Sequence, residues 1–254
     1  AFIEKHARER GDKTFLIAPD SKQQITFSAL KLSAEKIRGH LDRMGVRQGS
    51  KVAFLLDNGA WTAQLFLGVM AGNRVIVPLN AVSGTVQLQH VLSHSDAEVV
   101  LVSEQYRDRL DALLESVDRK VTVVMVDEHS GPEWTDDPAA QIPAPDTPAE
   151  EDPALLLYTS GSTGLPKGAV LTHLAVTSGG ANVTLGHGLT ENDRALCVLP
   201  VYHINGAMVT VSAPLVSGGS VVMPSRFSAR TYWSLVADYQ CTWSSIVPTI
   251  IKYL

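Results

Sequence analysis

One stretch of the sequence concentrates side chains that could hold phosphate: "YTSGSTGLPKG", from Tyr158 to Gly168. Gly161 and Gly164 can adopt positive φ, so successive backbone N–H groups can face one concavity. Further donors surround the same space, namely the hydroxyls of Thr159, Ser160, Ser162 and Thr163 and the ammonium group of Lys167. This set of donors favours a polyphosphate ligand.

The composition of this loop also suits two other kinds of structure. A Walker A loop requires G-x-x-x-x-G-K-[ST], but counting from Gly161 places Pro166 where the second glycine belongs, and Gly168 rather than Ser or Thr follows Lys167. A glycine-rich hairpin with solvated hydroxyls is the other alternative. Apolar strands predicted at Leu155–Leu157 and Ala169–Leu171 exclude a free linker, and Lys167 behind Pro166 favours phosphate binding.

Alternating strands and helices must position this loop. Ser28 is predicted to cap a helix whose apolar face contains Leu30, Ala34, Ile37 and Leu41. Short apolar runs then predict buried strands at Lys51–Leu56, Val75–Leu79, Glu98–Val102 and Val121–Val126. The segments between them predict helices at Trp61–Ala71, Thr85–Ser93 and Gln105–Val117. This alternation is typical of a parallel sheet with helices on both sides.

A second series of the same kind follows the loop. It predicts strands at Ala195–Leu199, Ser220–Met223 and Trp243–Val247, and helices at Gly206–Leu215 and from the cap Ser228 to about Tyr239. The fold class is therefore α/β, with two stacked βα lobes and mainly parallel sheets. We predict one lobe at 1–172, which includes an acidic, proline-rich loop at 127–153 and a hairpin at 155–171, and a second lobe at 173–254.

Composition narrows the function classes. The formal charge is −5, and the acidic loop carries so much of it that the rest of the chain is mildly positive, which is too weak for nucleic-acid binding. Cys197 and Cys241 lie in apolar runs without metal spacing, so we expect reduced core thiols in a cytoplasmic protein. No leader or transmembrane run is evident. Because Pro248 opens a helix just before Leu254, we expect the front part of a longer protein.

The loop "YTSGSTGLPKG" resembles, at every position, the signature loop of the adenylate-forming superfamily of acyl-CoA synthetases, peptide-synthetase adenylation domains and luciferases. The resemblance extends in order along essentially the whole chain, through "ITFSAL", "GVMAGNRVIVPLN", "LPVYHINGA" and "VPTIIKYL". It implies the large N-terminal domain of such an enzyme, truncated here. The family's small C-terminal domain with its catalytic lysine is absent from these 254 residues.

This resemblance implies a two-step reaction. A carboxylate attacks the α-phosphorus of ATP and expels pyrophosphate, and the acyl group then passes from AMP to a thiol. The residues from Thr159 to Gly164 would hold the β- and γ-phosphates, and Lys167 would offset their charge. Mg²⁺ would assist, but the family's metal ligand, a Glu, would lie beyond Leu254, so no metal ligand is predicted within the chain.

The segment "LPVYHINGA" resembles the acyl-pocket segment of the family. His203 would lie beside the carboxylate and the α-phosphate and, with Lys167, is a candidate catalytic residue. Asn205, Gly206 and Val209 would line the acyl cavity. Enzymes of the family that activate α-amino acids place an Asp at the position of His203, so the resemblance disfavours an amino acid substrate.

For a few other residues the sequence predicts a role less specifically. Arg226 resembles a basic residue that touches the phosphates of CoA in some ligases, although a solvated arginine before a helix explains it nearly as well. His173 is expected to begin a helix. The core is expected to include Met208, Met223, Trp233 and Trp243.

The resemblance is closest to acid:CoA ligases, which form AMP and use ATP, Mg²⁺ and CoA, with a role in fatty acid metabolism. Two alternatives remain open: an enzyme that loads an acyl carrier protein or performs one half-reaction, and a non-catalytic module that binds nucleotide or acyl groups. We expect the 254 residues alone to be inactive, because the thioester-forming domain is missing.

Overall fold

The computed structural model describes residues 2–135, 147–159 and 164–254. Within it the chain forms two compact units, each discontinuous in sequence. The first unit contains Ala1–Ser33, Asp57–Gln64 and Ala175–Leu254, and the second contains Ala34–Leu56 and Leu65–Leu174.

The described residues form short strands and helices in alternation. The strands are β1 (Thr14–Ala18), β2 (Gln23–Thr26), β3 (Lys51–Leu55), β4 (Val75–Pro78), β5 (Val99–Val102), β6 (Thr122–Asp127), β7 (Gly131–Pro132), β8 (Pro153–Thr159), β9 (Lys167–Thr172), β10 (Arg194–Leu196), β11 (Ser220–Val222) and β12 (Trp243–Ser244). The α-helices are α1 (Phe2–Arg10), α2 (Phe27–Arg43), α3 (Ala60–Ala71), α4 (Thr85–Ser95), α5 (Arg107–Leu114), α6 (His173–Gly186), α7 (Ala213–Ser217), α8 (Ala229–Asp238) and α9 (Pro248–Ile251). A 3₁₀ turn at Glu104–Tyr106 precedes α5, and a π-helix at Asn205–Ser212 precedes α7.

The first unit is built on a sheet with the strand order β12-β10-β11-β1-β2. Strands β12, β10, β11 and β1 run parallel, and β2 pairs antiparallel with β1 at the edge. The core beside this sheet contains Ile17, Leu196, Val198, Val222, Tyr232 and Ile250. Strand β1 therefore pairs with a strand about two hundred residues later, with Leu16 opposite Val221.

The second unit is built on a larger sheet with the order β7-β6-β5-β3-β4-β8-β9. Its central strands β6, β5, β3, β4 and β8 are parallel, and the edge strands β7 and β9 are antiparallel to their neighbours. Strands β4 and β5 are buried along their whole length, as expected for continuous apolar strands covered on both faces. The predicted mixed α/β fold with mainly parallel sheets is thus confirmed.

The predicted strands and helices are present, with ends shifted by a few residues, and three details differ. The cap of α2 is Thr26 rather than Ser28, because Thr26 Oγ1 accepts a hydrogen bond from the backbone N–H of Ala29 at 3.2 Å. The elements α1, β1 and β2 were not predicted. Trp233 was expected in the core but is 58% exposed, whereas Met208 and Met223 are buried.

The compact units differ from the predicted lobes, which divided the chain once, after residue 172. One boundary does fall nearby, at 174/175, but residues 1–33 belong with the later part of the chain because β1 pairs with β11. The predicted acidic loop at 127–153 includes β7, and its residues 136–146 lie outside the described ranges. None of the helices in the described ranges combines the length and apolar character that a bilayer-crossing helix needs.

Candidate active site

The predicted phosphate-binding hairpin is formed by β8 and β9 in the second unit. Its antiparallel register places Thr159 opposite Lys167 and Tyr158 opposite Gly168. Because directly opposed residues point to the same face of a sheet, the Thr159 hydroxyl and the Lys167 ammonium group share one face. Gly164 has φ +86°, the conformation predicted for the loop. The other predicted phosphate-binding residues, Ser160, Gly161, Ser162 and Thr163, lie outside the described residues.

Close packing of two side chains favours glycine at position 168. A Cβ atom there would lie 2.9 Å from Cδ1 of Leu156 and 3.2 Å from Cζ of Tyr158. The Tyr158 ring thus covers the backbone of Gly168 on one face, whereas Thr159 and Lys167 are both exposed among the described residues.

Lys167 is exposed, and within the described ranges no carboxylate forms an ion pair with it. Its charge is therefore not neutralised by any described side chain. A lysine in this state can offset the charge of an anion that approaches the hairpin.

Helix α4 holds both arms of the hairpin through two histidines one turn apart, which the sequence reasoning missed. The Tyr158 hydroxyl lies 2.7 Å from Nδ1 of His94, and the two rings meet edge to face with centroids 5.8 Å apart. On the other arm, Nε2 of His90 donates to the carbonyl of Pro166 at 3.1 Å. The only signal in the sequence was their spacing, because residues four apart share one face of a helix.

The surroundings of Tyr158 determine the protonation state of its phenol. Burial, assisted by the negative charge of Asp96, raises the pKa of Tyr158 to about 12. The phenol therefore keeps its proton at neutral pH, so it can donate to Nδ1 of His94 or accept from it, according to the tautomer of the histidine.

The predicted acyl-pocket residues lie in the first unit. His203 lies between β10 and the π-helix, and Asn205, Gly206 and Val209 lie in the π-helix itself. The backbone N–H of His203 donates to the carbonyl of Pro200 at 3.0 Å, and the carbonyl of His203 accepts from Ala207 at 3.0 Å. His203 is thus fixed in a turn that leads directly into the helix. Its ring meets that of Tyr202 edge on, with centroids 4.8 Å apart.

Desolvation lowers the pKa of His203 below its ordinary value. The imidazole is therefore neutral at pH 7 and can exchange hydrogen bonds with a carboxylate, but it adds no positive charge. Part of the residue stays open to solvent.

The other predicted acyl-pocket residues differ in exposure. Oδ1 of Asn205 accepts a hydrogen bond from Ser245 Oγ at 2.6 Å, and Val209 is half-buried. Gly206 is buried against backbone, since an added Cβ would lie within 2.6 Å of the carbonyl carbon of Pro200. Packing alone therefore accounts for glycine at 206.

Arg226, the predicted CoA contact, is exposed in the turn between β11 and α8 in the first unit. His173 begins α6, as expected, and desolvation lowers its pKa. Among the described residues, no group of three or more His, Cys, Asp or Glu side chains could hold a metal ion. The predicted site residues thus form two sets, the hairpin in the second unit and the segment around His203, with Arg226, in the first.

Comparison with known proteins agrees with these features. The family model described as AMP-binding enzyme matches residues 3–254. A sulfoacetate–CoA ligase of Cupriavidus necator is 43% identical over 258 residues, covering 100% of this chain and 50% of the relative. An oxalate–CoA ligase of Arabidopsis thaliana is 32% identical, covering 98% of this chain and 49% of the relative. The chain spans about half the length of the curated relatives it matches.

Solved structures show the same fold. The o-succinylbenzoate CoA synthetase of Bacillus subtilis, in complex with its acyl-adenylate intermediate, superposes with a TM-score of 0.85 at 26% identity, covering 99% of this chain and 62% of that one. A long-chain-fatty-acid CoA ligase of Rhodopseudomonas palustris, described as putative, has a TM-score of 0.88 at 21% identity.

Proposed function

Because this chain belongs to the AMP-binding enzyme family, we propose that it forms part of an acid:CoA ligase that joins a carboxylic acid to ATP and then to CoA. The similarity to several CoA ligases supports the ligase class. The single observation that carries the proposal is the hairpin face on which exposed Thr159 lies opposite exposed Lys167, a lysine that no carboxylate of the described ranges neutralises.

In the first step a carboxylate oxygen bonds to the α-phosphorus of ATP, and the bond from that phosphorus to the bridging oxygen breaks to release pyrophosphate. The carboxylate is already ionised at neutral pH, so the step needs no general base. The difficulty lies in bringing an anion to a polyanion. The residues Thr159–Gly164 and Lys167 are proposed to hold the β- and γ-phosphates and offset their charge.

In the second step the sulfur of CoA bonds to the acyl carbon and AMP leaves. Arg226 is proposed to contact the phosphates of CoA, for which its exposure provides access. Mg²⁺ would supply further charge neutralisation at the triphosphate. The described residues do not by themselves fit a metal site, so we assign no ligand to it.

The acid is proposed to be a carboxylate other than an α-amino acid. His203 is neutral at pH 7 and cannot pair with an ammonium group as an aspartate would. Asn205, Gly206 and Val209 are proposed to line the acyl cavity. Sulfoacetate, named for the relative with 43% identity, is the first acid to test. The two free cysteines support the cytoplasmic location proposed from the sequence.

The proposal is tested by acid-dependent exchange of pyrophosphate into ATP, measured on the full-length protein. Lys167→Ala should slow exchange by about 10²–10³-fold, the usual loss on removing one preorganised charge-stabilising group. The matched control is Lys120→Ala, since Lys120 is an exposed lysine of the same unit outside the hairpin. Exchange at the wild-type rate in Lys167→Ala would refute the role of the hairpin, and CoA-dependent release of AMP tests the second step.

A further inference from the structure

Asn58 lies between β3 and α3, and its side-chain amide is hydrogen-bonded to the segment that leads to His203. Nδ2 of Asn58 donates to the carbonyl of Leu199 at 3.0 Å, and Oδ1 accepts from the N–H of Val201 at 3.0 Å. Asn58 is 9% exposed, and both contacts fall within the first unit. The amide thus pairs with two backbone groups as a neighbouring strand would.

Asn58 supplies hydrogen bonds that the backbone of segment 199–204 would otherwise lack. The segment 199–204 follows β10 but has left the sheet, so the polar groups of its backbone lack strand partners. A buried backbone N–H or carbonyl without a hydrogen bond is costly, and Asn58 satisfies one of each. Asparagine suits the position because its side chain offers a donor and an acceptor together, whereas aspartate has no donor when ionised.

A second set of contacts fixes the other end of the same segment. Thr210 Oγ1 lies 2.9 Å from Sγ of Cys197 and donates to the carbonyl of Gly206 at 2.9 Å. Cys197 in turn contacts the carbonyl of Leu199, the same group that accepts from Asn58. His203 therefore sits in a turn whose two ends are both held by buried hydrogen bonds.

We infer that Asn58 is a positioning residue that sets where His203 meets the acyl group. This inference rests on the proposed function, because it assigns Asn58 to the acid rather than to the nucleotide. Asn58 acts through Leu199, Val201 and the turn at Pro200, without contacting the acid itself. Its loss should weaken binding of the acid and leave binding of ATP nearly unchanged.

The test compares Asn58→Asp and Asn58→Ser in the full-length protein by pyrophosphate exchange. Serine has a shorter side chain with a single oxygen in place of the two amide atoms, so it pairs less well with the two backbone groups, and aspartate turns the donor into an acceptor that faces the carbonyl of Leu199. We expect the KM for the acid to rise on the order of tenfold in both variants, while the KM for ATP changes less than twofold. Measuring both variants keeps the test valid if one of them fails to fold.

The control is Asn73→Asp. Asn73 is also an asparagine with 9% exposure, but it lies in the second unit and contacts Gln48 and Asp152. The Asn73→Asp variant should be less stable because it places a second carboxylate beside Asp152. Its KM for the acid should not change. An unchanged KM for the acid in the Asn58 variants, or an equal rise in the KM for ATP, overturns the inference. Absence of exchange in the wild-type protein overturns the proposed function instead, so the two failures are distinguishable.

Discussion

The contact between Tyr158 and His94 allows a quantitative test of how the hairpin of β8 and β9, the proposed phosphate site, is held. Tyr158→Phe removes the hydroxyl that lies 2.7 Å from Nδ1 of His94. A neutral hydrogen bond contributes about 0.5–1.5 kcal/mol net. Because His94 is exposed, water can replace the lost partner, so we expect the lower part of that range, about 0.5–1 kcal/mol. If this energy positions the hairpin, the KM for ATP should rise roughly two- to fivefold.

The assay is a double-mutant cycle with Tyr158→Phe, His94→Phe and the double variant. Phenylalanine at 94 keeps an aromatic ring against Tyr158 and removes the nitrogen. Since both single changes break the same hydrogen bond, the double variant should cost little more than either alone. The KM for ATP is measured by pyrophosphate exchange at saturating acid, together with the melting temperature of each variant.

His40→Phe is the control for a general effect of replacing a histidine in the second unit. His40 stacks on Trp134 with ring centroids 4.8 Å apart. The His40→Phe variant should leave the KM for ATP unchanged. Strictly additive effects of the two hairpin substitutions, or a KM for ATP that does not move in either single variant, would refute the reasoning.

Two further predictions concern stability. Gly206→Ala should destabilise the protein by about 1–3 kcal/mol, because the new methyl group would meet the backbone at Pro200. The melting temperature should fall by roughly 2–12 °C. An unchanged melting temperature would contradict the close packing at Gly206. Burial, assisted by the charge of Arg10, lowers the pKa of His6 in the folded state below its ordinary value of 6.5, so unfolding takes up a proton and stability should fall as pH drops through 6.5. His6→Phe should remove part of that loss between pH 7.5 and 5.5 in denaturant titrations, and an identical loss in both proteins would argue against it.

The sequence predicted the second unit well because its signals are local. Strands β3 to β6 are continuous apolar runs separated by helices, and each pairs with a strand close by in the chain or in its own βα series. The loop between β8 and β9 was recognisable for the same reason, since its hydroxyls, glycines and lysine are adjacent in sequence.

The first unit was predicted less completely because its strands depend on distant partners. Helix α1 has the sequence "FIEKHARER", in which His6 is the only buried residue, so no apolar period marks it. The same limit applies to the site. Asn58 reaches Leu199 across 141 positions and His94 reaches Tyr158 across 64, and no local pattern indicates either contact.

The place of β1 between β11 and β2 has a consequence during synthesis on the ribosome. Phe15 and Leu16 are fully buried in the folded protein. However, β11, which pairs with one edge of β1, is synthesised about two hundred residues later. The nascent chain therefore carries an apolar strand with one edge unpaired while residues 34–174 can already collapse. A chaperone that binds extended apolar segments would find a target at Thr14–Ala18.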